Sequence, residues 1–227
     1  MLENITKKKL ENGLREVKKF QTLSILQIPQ MEYFEDKERK FKPELNDSID
    51  WKKIEIEETW GGYDKVFWFR KNIELPENIG EERLFLKVSL EKDGDLDVIP
   101  DYPESLLFVN GQFVQGIDKY HKEAIISPKI VQGNVLSIYL RSWTGLRGEL
   151  NYTFSGLELY KIEKYSQKYY FLAKNILDTI DQLSQNDIVK VKLFNILNES
   201  YKRINFTKPR SKEYYESIKN RLLVKYG

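Results

Sequence analysis

From residue 51 to residue 162 the chain is cut into short apolar runs by turn-forming residues, and this pattern limits its fold more than any other feature. The runs KVFWFRKNIEL, RLFLKVSL, SLLFVNG, QFVQGI, EAIISP, VLSIYLRSW and YTFSGLELYKI are rich in Val, Ile, Phe, Tyr and Leu, the residues that suit a pleated, half-buried surface. Leu75-Pro76, Asp93-Gly94, Asn110-Gly111, Ser127-Pro128 and Gln132-Gly133-Asn134 punctuate them. Seven or eight strands at this spacing predict an all-β sandwich or barrel. The sharpest local signal is Asn110-Gly111. Between two apolar runs it predicts a two-residue hairpin turn, which needs positive φ at both positions.

The flanks follow other rules. Residues 1–20 place Ile5, Leu10, Leu14 and Val17 near helical spacing, with Gly13 counting against a helix. Residues 21–50 turn polar, with Pro29 and Pro43, and read as an irregular connection draped over the rest. From residue 163 the period becomes helical. One stripe is Tyr165, Tyr169, Leu172, Ile176, Ile180 and Leu183; a second is Ile188, Val191, Phe194, Leu197, Tyr201 and Ile204; a third is Tyr215, Ile218, Leu222 and Tyr226, with Ser211 as N-cap. The expected organisation is therefore residues 1–50 as an N-terminal helix and connection, 51–162 as a β-sandwich, and 163–227 as a helical segment leading toward a further domain.

Composition removes several function classes. With 37 basic against 35 acidic residues, the formal charge of +2 lacks the basic excess of a nucleic-acid protein. No segment is apolar for long enough to span a bilayer, and MLENITKKKLENG carries charge where a secretory signal has an apolar run. Cysteine is absent, which excludes disulfides and thiolate metal sites and favours a cytoplasmic location. His121 is the only histidine, so no site needing two imidazoles for zinc can form.

Three constellations remain. Asp93, Asp95, Asp97 and Asp101, with Glu104 beyond, copy the carboxylate spacing of an EF-hand calcium loop. Val98 stands where that loop needs glycine, and the preceding segment is strand-like; the plainer reading is a solvated acidic loop between strands. His121 lies near Asp118 and Glu123, the pairing of a catalytic dyad. No cysteine or elbow serine accompanies it, and a histidine beside a turn is more often a structural hydrogen-bonder. Of the four tryptophans, Trp68 sits inside an apolar run and reads as core. Trp60 and Trp143, each followed by glycine within two residues, lie at strand-to-loop edges and read as exposed platforms for a sugar face.

Taken together, Trp60, WFRKNIELP (68–76), LFVNGQFVQGIDKYHKE (107–123) and VLSIYLRSWTG (135–145) form a pattern that resembles the N-terminal β-sandwich of glycoside hydrolase family 38 α-mannosidases. The ending Gly116, Ile117, Asp118, His121 and Glu123 points the resemblance to the mannosidases rather than to other glycosidase sandwiches. The resemblance implies a jelly-roll, galactose-binding-like sandwich with flanking helices, a fragment of a longer enzyme whose outgoing helices lead into a zinc-dependent catalytic barrel. That barrel opens with a His-x-Asp zinc motif, which a chain with one histidine does not contain, so no catalytic residue and no cofactor carries over to these residues. The expected role is a non-catalytic accessory domain whose partners are the catalytic domain of the same polypeptide and a further copy of the enzyme. The alternative is a carbohydrate-binding module for mannosides. The candidate carbohydrate or domain-interface residues are Trp60, Asn110, Asp118, His121, Glu123 and Trp143.

Overall fold

The computed structural model describes residues 2–40, 45–77, 79, 83–90, 102–131, 133–146, 151–185 and 187–222. They fall into two compact units: a β unit, Ser24–Lys161, and a helical unit, Met1–Leu23 with Ile162–Gly227. The acidic loop residues Asp93, Asp95, Asp97 and Asp101 lie outside the described residues.

The β unit begins earlier than the apolar runs suggest. Strands β1 (Thr22–Ile28) and β2 (Gln30–Glu35) occupy part of the stretch read as an irregular connection. They bury Ile28 and Met31 completely, and Ile25, Leu26 and Tyr33 pack partly buried against the same core, while the polar residues among them disguised the strands. Pro29, which cannot donate to a sheet ladder, falls between them. There the chain passes from one sheet to the other.

Strands β3 (Lys52–Glu55), β4 (Thr59–Gly61), β5 (Val66–Glu74), β6 (Leu84–Ser89), β7 (Glu104–Val109), β8 (Gln112–Ile117), β9 (Glu123–Ile126), β10 (Val135–Trp143), β11 (Asn151–Thr153) and β12 (Gly156–Ile162) complete the set. A six-stranded sheet runs β3-β2-β5-β10-β7-β8, a four-stranded sheet runs β1-β12-β6-β9, and β11 pairs with β4 in a small third sheet. Strand β10 alternates cleanly, with Leu136, Ile138, Leu140 and Ser142 inward. Inward residues of both larger sheets meet in one apolar cluster containing Phe69, Leu107, Ile138, Leu86, Ala124 and Leu159. Burying each large aliphatic side chain there contributes about 1.5–3 kcal/mol.

In the helical unit, α1 (Leu2–Lys19), α2 (Lys164–Gln182), α3 (Ile188–Lys202) and α4 (Lys212–Leu222) build a second apolar cluster. Leu10, Leu14 and Val17 of α1 meet Tyr169, Ala173, Leu177 and Ile180 of α2. Glu163 caps α2, accepting from the Tyr165 and Ser166 amides, and Ser211 accepts from Tyr214 N–H at the start of α4. The buried face of α2 is rotated by about one residue from the predicted stripe, leaving Tyr165 and Leu172 exposed. Ile188 and Val191 of α3 are exposed too, and Tyr214, absent from the third stripe, is completely buried. Among the described residues no helix is long and apolar enough to cross a membrane.

Candidate functional site

The ends of four strands meet at one edge of the six-stranded sheet. In register, Trp143 of β10 stands opposite Val66 of β5 on one side and Glu104 of β7 on the other, while Ser105 pairs with Ile117 at the end of β8. Inward-facing groups lock this edge. Ser142 and Ser105, both buried, share a hydroxyl–hydroxyl hydrogen bond of 2.7 Å. Thr144 Oγ1 accepts from the Lys65 amide at 2.9 Å and donates to the Lys65 carbonyl. Trp143 sits between these two anchors on the opposite, outward face.

The indole N–H of Trp143 donates to Asp64 Oδ1 at 2.9 Å, and Arg39 Nη2 donates to Asp64 Oδ2 at 2.8 Å. Arg39 also reaches the Asp64 carbonyl, and Arg141 donates to the Arg39 carbonyl at 3.3 Å. Hydrogen bonding from Arg39, then from Trp143, holds the Asp64 carboxyl below the usual carboxylate range. The indole is thus fixed by its edge, and its ring is the common wall of two hollows.

One hollow, about 400 Å³, is lined by Trp143 with Tyr102, Tyr120, Tyr152, Glu104 and Asp118. The other, about 500 Å³, shares Trp143, Glu104 and Asp118 and adds Arg39, Arg141 and Gly116. They form one groove. Gly116 leaves its floor open, since a Cβ there meets nothing nearer than the Ser105 carbonyl at 3.9 Å.

Of the sequence candidates, Asp118 and Trp143 line the groove, His121 stands beside Asp118, and Trp60, Asn110 and Glu123 lie elsewhere. Asp118 Oδ1 accepts from the Tyr120 and His121 amides at 2.7 and 2.8 Å, and His121 Nδ1 lies 3.0 Å from the same carboxylate. The His121 contact, with these amides, lowers the Asp118 pKa. His121 is therefore a turn-forming partner at the groove's rim. Glu123 belongs to β9 in the other sheet, where its carboxylate hydrogen-bonds Tyr160; burial, helped by that carboxylate, pushes the Tyr160 phenol up.

Asn110 lies at the far end of the β7–β8 hairpin. Its φ of 49° and the 75° of Gly111 give the left-handed pair expected of the turn. Its side chain donates to the Ile130 carbonyl and accepts from the Ser137 amide, tying three segments together. Trp60 is not an exposed platform. It is 4% exposed and stacks edge-on against Phe67 and Phe69 in the core. Trp68 is buried as expected, but on the outward face, where its N–H donates to the buried Asp36 carboxylate at 3.2 Å.

Sequence reasoning missed Arg39, Asp64, Arg141 and the tyrosines. Arg141 was within reach, because it precedes Trp143 by two on one strand and so shares its face. Arg39 and Asp64 lie in turns, where nothing periodic marks them.

Two sheets sharing one core, with the chain crossing between them at Pro29, make this a jelly-roll β-sandwich carrying a helical unit. Residues 27–145 match the family model described as alpha-mannosidase, jelly roll domain. The match covers more than half of the chain, which belongs to this family. No curated protein matches the chain. Among solved structures it is similar to β-glucuronidase from Ruminococcus gnavus in complex with D-glucaro-d-lactam, at 10% identity and a TM-score of 0.46, over 62% of this chain and 29% of that one. It is also similar to Bacteroides uniformis β-glucuronidase, at 12% identity and a TM-score of 0.45, over 62% of this chain and 18% of the other. The chain thus spans less than a third of either enzyme.

Proposed function

We propose that the chain is the non-catalytic N-terminal accessory part of a zinc-dependent α-mannosidase of the cytoplasm, supporting that enzyme's catalytic barrel and its contacts between copies. The observation that carries this reading is the jelly-roll family match across residues 27–145. The chain's own side chains support the non-catalytic half of it. Zinc is held by imidazole, thiolate and carboxylate donors, and this chain offers one imidazole and no thiolate. Among the described residues no three His, Asp or Glu side chains are grouped to hold a metal. On this reading the zinc and the nucleophile belong to another part of the enzyme.

The test is immunoprecipitation from the source cells with an antibody raised against this chain. The expected result is a polypeptide well above 27.1 kDa that hydrolyses 4-nitrophenyl α-D-mannoside, loses activity to a chelator and regains it with zinc. The isolated chain is expected to hydrolyse none. A precipitated protein inactive on α-mannosides under all these conditions overturns the reading, as does turnover by the isolated chain.

A further inference from the structure

We propose that the groove around Trp143 binds a neutral, polyhydroxylated ligand, a saccharide chain of more than one ring. This goes beyond the accessory-domain reading and stands or falls separately from it.

The first reason is shape. The two hollows, about 400 and 500 Å³, each fall within the range of about 300–1,000 Å³ usual for small-ligand sites. They meet along one indole, so the space is elongated and suits successive rings. The second reason is the fixed aromatic wall. Trp143 holds its N–H in a hydrogen bond to Asp64, which leaves the ring to offer an apolar surface without a further rotamer cost on binding.

Charge gives the third reason. Arg141 and Lys119 are matched by Glu104 and Asp118 in the lining, and the charge of Arg39 is neutralised by Asp64 behind it. A balanced lining attracts neither a polyanion nor a polycation, yet it is rich in acceptors and fork-shaped donors that pair with hydroxyls. Glu104 is exposed and makes no side-chain hydrogen bond among the described residues, so it is ready to accept from a diol. Tyr120, 79% exposed, stands at the opening of the first hollow.

The experiment is calorimetry and tryptophan fluorescence on the whole chain with neutral manno-, gluco- and galacto-oligosaccharides, and with oligogalacturonates as the acidic comparison. Saturable binding of at least one neutral oligosaccharide is expected. Glu104→Gln and Tyr120→Ala, both at exposed positions, should each weaken it by roughly threefold to tenfold. Gly116→Phe should fill the floor and weaken it by more than about tenfold while the urea midpoint stays put, because Gly116 is not in the left-handed region and has open space beside it. Trp51→Phe, away from the groove, should change nothing. Absence of saturable binding by every neutral oligosaccharide overturns the proposal. So does affinity that survives all three groove variants, or tighter binding of the acidic series.

Discussion

The position of Trp143 is set by side chains that leave the faces of its ring uncommitted to hydrogen bonds. Ser142 and Thr144 point inward on either side of it, and Asp64 takes its N–H. Ser142→Ala should strand the buried Ser105 hydroxyl and cost about 1–3 kcal/mol in urea unfolding. The double variant with Ser105→Ala should recover most of that, because both partners are then gone. Asp64 and Asp118 set an acid limit. Both folded carboxyls are held below their ordinary value, so the stability they add is fully present above about pH 4. It is lost as pH falls through the lowered values. Fluorescence of Trp143 should therefore change in acid and hold steady near neutrality, and Asp64→Asn should remove the acid-dependent step. A Trp143 signal that titrates near neutrality would contradict this.

At the scale of elements, Gly13 shows how tertiary contact overrules propensity. It lies inside α1, where alanine would ordinarily add about 1 kcal/mol. A Cβ there would sit 1.9 Å from Cε2 of Tyr201. That ring is held in place by Phe206, with a centroid separation of 5.3 Å. Gly13→Ala should thus destabilise the helical unit by about 1–3 kcal/mol, and should become stabilising once Tyr201 is Ala; thermal melts of the two single variants and the double variant decide it. The sequence showed a glycine that counted against a helix, but not the tyrosine almost 190 residues away that requires it. The hairpin was legible by contrast, because its turn is local. Asn110→Ala should cost about 1–3 kcal/mol, through two lost side-chain bonds and a positive φ that alanine resists.

For the whole molecule, each unit has its own apolar cluster. Leu177→Ala, in the helical cluster, should speed amide exchange across α1 to α4 far more than in β5 and β10, as mass spectrometry of the exchanging chain would show. Equal acceleration in both would mean one cooperative unit. The sequence by itself determined the β character of residues 51–162, the Asn110-Gly111 turn, the helices on both flanks and the presence of one histidine and no cysteine. These depend on neighbours in the chain or on a count of residue types. Only the tertiary structure decided that β1 and β2 complete the sandwich, that Trp60 is core while Trp143 faces a groove, and that Arg39, Asp64, Glu104, Asp118 and Arg141 converge there. Each of those outcomes depends on which strands lie side by side and in what register, and pairings between distant segments leave no period in the sequence to read.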